Sequence, residues 1–270
     1  TASISGDKDQ LTTTTLANVA STDLVALNLS TTMSDDAELT QLKQLRAQTG
    51  GKITATVSAA IAKLKASAPT GLTTVGTDSI SLTITDAPLG NDDRADLQAL
   101  LDKTSGVTTA SASFSKAEFN AFAASNKSDS NDLITLTATG GAITAANFNV
   151  AKANTGAGIT ASVTDAAATL VTGDNKLTAN TADTLTIAVS DAKSFGGSGG
   201  ASFSDFKTLL SNTAKAKTTV TATVEGSAAD LATLNADAAT DTLTFTVTGT
   251  ATGSTGVTNF NTISGLTGKA

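Results

Sequence analysis

Three carboxylates recur at one place in the sequence pattern. Asp86, Asp165 and Asp191 each follow a short alternating segment and precede Ala, in Ile84-Thr85-Asp86-Ala87, Val163-Thr164-Asp165-Ala166 and Val189-Ser190-Asp191-Ala192. Two chemistries suit an acid there. As a hydrogen-bond acceptor it caps the helix that follows, satisfying an amide that has no partner inside that helix. As a hard oxygen donor it binds calcium: Asp165 and Asp191 belong to consecutive segments, and parallel strands about 4.8 Å apart bring two such carboxylates within reach of one cation. Capping is the principal role expected of all three acids. Asp165 and Asp191 are the candidate metal ligands, and calcium is the single cofactor the chain suggests.

Other acidic groups fit known chemistries less well. Asn91-Asp92-Asp93 with Asp96 is rich in oxygen donors but lacks the ligand spacing of a helix-loop-helix calcium loop and the Gly-rich nonapeptide of calcium β-rolls. Asp35-Asp36 and Asp92-Asp93 are carboxylate pairs of the kind that hydrolyse glycosides, yet they are adjacent in polar segments and have no aromatic sugar platforms beside them. The chain contains no Cys, His, Trp or Tyr. Ser-His-Asp and Cys-His catalysis, imidazole or thiolate metal sites and disulfide stapling are therefore excluded, and the reading is that this is not an enzyme.

Charge narrows the partners. A net charge of −7 and a pI near 4.5 oppose binding to phosphate backbones, and Lys is scattered rather than clustered, so no nucleic-acid partner is expected. No apolar run approaches the roughly 18 residues of a membrane span, and Thr1 opens without a basic and then apolar leader. Membrane insertion is not expected. Thr (52) and Ala (48) dominate the composition, and the nine Phe are the sole aromatic residues, so any core is thin.

The elements that carry these residues repeat. Segments alternating apolar and small polar residues are centred near residues 4, 27, 55, 82, 111, 136, 161, 187, 221 and 245, as in Ile80-Ser81-Leu82-Thr83-Ile84 and Val220-Thr221-Ala222-Thr223-Val224. A period of two predicts strands with one buried face. Between them stand apolar pairs three residues apart in Ala-rich surroundings: Leu39/Leu42, Ile61/Leu64, Leu97/Leu100, Phe119/Phe122, Phe206/Leu209, Leu231/Leu234 and Phe260/Ile263. That spacing puts both side chains on one helical face. Ser115 with Glu118, Ser202 with Asp205 and Ser227 with Asp230 mark helix starts.

Strands joined by a helix within about 26 residues are parallel, and such crossovers are right-handed. The expected fold is α/β: a right-handed β/α solenoid of about nine strand-helix repeats of roughly 26 residues with a parallel sheet. Residues 1–192 and 202–270 belong to the repeats, and 193–201 form a Gly/Ser-rich insertion within them. An all-β sandwich is the alternative. Leu82, Ile84, Ile159, Val163, Val220 and Val224 are expected to face a core shared with Leu97, Leu100, Phe119, Phe122, Phe206 and Leu209. The intervening hydroxyls, such as Thr54, Thr56, Ser81, Thr83, Thr160, Ser162, Thr221, Thr223, Thr244 and Thr246, then form rows on the opposite face, suited to glycans, polysaccharide or ice.

This cycle of Val/Ile-Thr-Asp-Ala turns, Leu-x-x-Leu helices and Thr-alternating strands resembles the Thr/Ala-rich β/α repeats of very large bacterial surface and secreted proteins: adhesins, S-layer-like and filament-forming proteins. The resemblance implies a non-catalytic structural subunit or segment of an extracellular bacterial assembly, such as a filament, surface layer or matrix. An adhesive, carbohydrate- or ice-binding module using the Thr-rich strand faces is the alternative. Neither end reads as a polar cap, since Thr1-Ala2-Ser3-Ile4-Ser5 resembles another strand and Val257–Ile263 another apolar stripe. The partner expected is therefore a homopolymer of the chain, or neighbouring repeats of the same protein, through head-to-tail association.

Overall fold

The structure is a computed structural model that describes residues 2–65, 72, 78–86, 88–125, 127–190, 201–212, 218–234 and 241–266. Strands and helices alternate along it. The order is β1 (Ala2–Gly6), β2 (Val25–Met33), α1 (Asp36–Gln48), β3 (Ile53–Ala59), α2 (Ile61–Lys65), β4 (Ser79–Ile84), α3 (Arg94–Leu101), β5 (Thr108–Ser115), α4 (Lys116–Ala124) and β6 (Leu133–Thr139). It continues with α5 (Ala145–Ala153), β7 (Ile159–Asp165), α6 (Ala167–Val171), β8 (Thr184–Val189), α7 (Ala201–Asn212), β9 (Thr218–Ser227), α8 (Ala228–Leu231), β10 (Thr242–Thr248) and α9 (Gly253–Leu266). The expected strand centres all fall inside these strands.

The chain forms two compact units, Thr1–Leu136 with Ala153–Ala157, and Thr137–Lys152 with Gly158–Ala270. In the first, β1-β2-β3-β4-β5 pair in chain order, each with its neighbour in parallel. In the second, β7-β8-β9-β10 do the same. The fold class is α/β, as expected. Parallel neighbours need a crossover, which the intervening helices supply from β2 onward while a run of turns joins β1 to β2, and the all-β sandwich is thereby overturned. Residues 193–200 of the Gly/Ser-rich insertion lie outside the described residues; Ala201, assigned to it from the sequence, begins α7.

Burial follows the alternation. Leu82, Ile84, Ile159, Val163, Val220 and Val224 are buried, together with Leu97, Leu100, Phe119, Phe122, Phe206 and Leu209 from the helices. Phe114 of β5 and Phe122 of α4 meet at 5.7 Å between ring centroids, so aromatic bulk fills the layer between strand and helix. The intervening Thr and Ser remain open or half-open to solvent. Helix starts use the expected chemistry at two sites: Glu118 N donates to Ser115 Oγ and Asp230 N to Ser227 Oγ. A third cap, a reciprocal box of Asp35 and Glu38, opens α1. Lys8 and the amides of Ser34 and Asp35 bind the Glu38 carboxylate and hold its pKa down at about 2.

One expectation fails. Ile263 of α9 is buried, but Phe260 is 54% exposed, so that pair does not pack as a unit. Helix α5 had no apolar pair to announce it, because it buries Phe148 between the small residues Ala145 and Ala151.

Candidate functional site

The acids that close the alternating segments do cap helices, but not those expected. Asp165 Oδ2 accepts the amide of Ala145 at 2.9 Å, at the start of α5, the helix preceding its own strand. Asp86 Oδ1 likewise accepts Ile61 N at 2.7 Å, the first residue of α2. Helix α6, directly after Asp165, opens at Ala166 without a side-chain cap. The correction has a geometric cause. The end of a parallel strand lies beside the point where the previous strand hands over to its helix, so the acid reaches back across one repeat. Asp191 lies outside the described residues, so the pairing of Asp165 with Asp191 on calcium is not seen. Among the described residues no group of three or more acids is gathered in a way that could hold a metal. Asn91 and Asp93 serve the backbone: Asn91 Oδ1 accepts Ser115 N at the end of β5, and Asp93 Oδ2 accepts Gly90 N in its own turn. Asp96 pairs with Lys65 at 2.5 Å.

A second set of side chains, unnoticed in the sequence, works at the opposite strand ends. Asp78, Asp132, Asp183 and Asp241 are buried immediately before β4, β6, β8 and β10. Each carboxylate accepts the amide at the start of the preceding strand. Ile53 N reaches Asp78 Oδ1 at 2.8 Å, Thr108 N reaches Asp132 Oδ1 at 2.7 Å, Ile159 N reaches Asp183 Oδ1 at 2.8 Å and Val220 N reaches Asp241 Oδ1 at 3.0 Å. Asp132 and Asp183 also use Oδ2, closing their own turns on Asp129 N and Asn180 N.

In the intervening repeats a Thr four residues before the strand ties to the neighbouring strand instead. Thr49, Thr104 and Thr155 precede β3, β5 and β7. Thr104 Oγ1 accepts Ile80 N at 2.9 Å, Thr155 Oγ1 accepts Ile134 N at 3.1 Å, and Thr49 Oγ1 donates to Val25 O at 2.6 Å. Small residues follow because the backbones approach closely there. A Cβ on Gly51 would stand 2.2 Å from Val25 O, and one on Gly106 would stand 2.3 Å from Ile80 O. From β3 to β8 hydroxyl and acid ties thus alternate repeat by repeat; the residues directly before β9 lie outside the described residues.

Electrostatics differ among the buried acids. Arg46 Nη1 meets Asp78 at 2.6 Å and Lys152 Nζ meets Asp183 at 3.1 Å, each cation coming from the last turn of a helix. Asp132 has no basic partner among the described residues. Burial pushes its pKa up, opposed by the amides of Thr108 and Asp129. It lines a polar cleft of about 320 Å³ with Ser79, Ser81, Thr104, Ser105, Lys127, Asp129 and Asn131. Lys127 is engaged by Asp102 at 2.7 Å, and Asp129 accepts the amide of Asn131. The buried carboxylate of Asp132 holds the start of β5 in place.

The hydroxyl rows form. In the first unit Thr54, Thr56 and Ser58 stand opposite Ser79, Ser81 and Thr83. In the second unit Ser162, Thr186 and Thr219 occupy one row, while Thr221 and Thr223 face Thr242 and Thr244. Ala188, opposite Thr164 and Thr221, interrupts one row.

Compared with known protein families, curated proteins and solved structures, the chain matches none. The missed ties had a signal: Asp78-Ser79-Ile80, Asp132-Leu133-Ile134, Asp183-Thr184-Leu185 and Asp241-Thr242-Leu243 alternate with Thr49-Gly50-Gly51, Thr104-Ser105-Gly106 and Thr155-Gly156-Ala157. A search at single-repeat spacing passes over a motif that recurs in every second repeat.

Proposed function

We propose that this chain is a non-catalytic structural segment of an extracellular bacterial assembly: a right-handed β/α solenoid whose repeats continue head to tail in a filament, surface layer or matrix. The observation that carries the reading is the alternating set of cross-repeat ties. The buried Asp and Thr side chains at the strand starts are spent on the backbone of the neighbouring repeat. Such coupling makes each repeat's stability depend on its neighbour, which is the physics of a stacked array. The acidic, Thr- and Ala-rich composition and the resemblance to bacterial surface repeats support an extracellular place.

Negative-stain electron microscopy of the purified chain tests this. Linear or sheet-like objects are expected, and a field of isolated particles at all concentrations would overturn it. A second reading, adhesion to glycan or ice, is favoured by the hydroxyl rows of β7 to β10, where the side-chain hydroxyls of Thr160, Ser162, Thr184, Thr186, Thr221 and Thr244 take no protein partner among the described residues. Retention on insoluble polysaccharide, or thermal hysteresis, is the outcome that reading requires.

A further inference from the structure

Asp132 is the exception among the acids that hold strand starts. Arg46 and Lys152, the cations paired with Asp78 and Asp183, each stand seven residues before the strand residue whose amide the acid accepts, Ile53 and Ile159. Seven residues before Thr108 stands Leu101, the last residue of α3. The corresponding position before Val220 lies outside the described residues. The strand residue changes too, from Ile to Thr. Thr108 is fully buried, and its hydroxyl has no hydrogen-bond partner among the described residues. The two sister sites combine an ion pair with an aliphatic side chain. This one opens instead as the polar cleft of about 320 Å³, which Leu101, Thr108 and Asp132 line together.

We infer that this cleft binds a primary alkylammonium ion, whose charged group stands at Asp132 as the Lys152 ammonium stands at Asp183. The inference concerns one cleft of the first unit and is independent of how repeats assemble. An ammonium carries three N–H donors and no acceptor. The Asp132 carboxylate and Thr108 Oγ1 are the acceptors that meet it, and Leu101 offers apolar surface to a short alkyl chain. The charge balance suits a cation. Asp129 and Asp132 both line the cleft, while Lys127, the one basic residue among its described lining, is held by Asp102 at 2.7 Å. A cleft of one sign concentrates ions of the other. A buried carboxylate without a counter-charge also gains more from a hydrogen-bonded cation than an exposed one does. A metal ion is the poorer match, because no group of three or more acids gathers among the described residues. The Asp132 oxygens already accept directional N–H donors, from Thr108 N and Asp129 N, and an ammonium adds another of the same kind.

Isothermal titration of the whole chain with butylammonium chloride tests this, read beside the amide resonances of Thr108, Asp129 and Asp132. Saturable binding at one site is expected, with those resonances moving in step. Tetramethylammonium has the same charge but no N–H, and should bind about tenfold more weakly or worse. Asp132→Asn should lower butylammonium affinity about tenfold or more. Thr108→Val removes a hydroxyl that holds no other group and leaves an aliphatic side chain, as at Ile53 and Ile159. It should weaken binding severalfold while the melting temperature holds. Leu101→Lys supplies an ammonium from the chain itself, as Lys152 does, and should abolish binding. Circular dichroism of each variant checks that the fold is kept. No saturable binding at millimolar amine would overturn the inference, as would equal binding of tetramethylammonium or undiminished binding by Asp132→Asn. Calcium that moves the same resonances and displaces butylammonium would reassign the cleft to a metal and overturn it as well.

Discussion

The carboxylate of Asp78 and the amide of Ile53 face each other across neighbouring strands, with Ile53 N donating to Asp78 Oδ1 at 2.8 Å. The same oxygen receives Arg46 Nη1 at 2.6 Å, and the side chains of Arg46 and Asp78 are only 8% and 1% exposed. One acid thus joins helix α1 and strand β3 to the turn before β4. Removing it strands a buried guanidinium and an unsatisfied amide. Asp78→Ala is expected to cost about 3 to 5 kcal/mol in urea unfolding. A loss below about 1 kcal/mol would show that the tie is incidental.

Asp132 makes the same strand-start contact without a cation, and its contribution depends on pH. Its native pKa is raised by burial, so between the ordinary carboxylate pKa and that raised value the native state holds more proton than the unfolded chain. The stability Asp132 contributes is present in acid and is lost as pH rises through the raised native pKa. Asp132→Asn keeps an oxygen for Thr108 N and removes the buried charge. Its cost at pH 7 should be under about 1 kcal/mol, growing as pH falls toward 4. Chemical denaturation of both proteins across that range checks this; a cost that shrinks toward acid contradicts it.

Gly106 fits against the backbone carbonyl of Ile80, where a Cβ would be 2.3 Å away. Backbone cannot swing aside as a side chain can. Gly106→Ala should destabilise by about 2 kcal/mol or more, whereas Gly265→Ala in α9, with nothing within 4 Å, should be neutral or slightly stabilising. Thermal melts of the two variants separate close approach from helix propensity.

Asp165 acts as an acceptor for Ala145 N, and on that account Asp165→Ala costs about 1 kcal/mol, with the same melting temperature in chelator and in millimolar calcium. A chelator-induced drop of many degrees in the wild-type chain would restore calcium to this turn.

Strand positions and most helices were legible because their signal is local: Ile80-Ser81-Leu82-Thr83-Ile84 declares its buried face by alternation alone, and Phe119 with Phe122 declares a helical one. What was hidden depends on the neighbour. That Asp165 caps the helix before its strand, and that Asp183 serves Ile159, follows only once parallel strands lie side by side. Phe260 looked like its counterparts Phe119 and Phe206, yet no described strand lies beyond β10 to cover it. Helix α5 escaped notice because its buried stripe is Ala145, Phe148 and Ala151, too small to stand out in an Ala-rich chain.

Sedimentation velocity of the intact chain over a wide concentration range, at low and high salt, tests the structural account most directly. The account predicts a concentration-dependent series of growing species. A single sharp monomer boundary at every concentration and salt would contradict it.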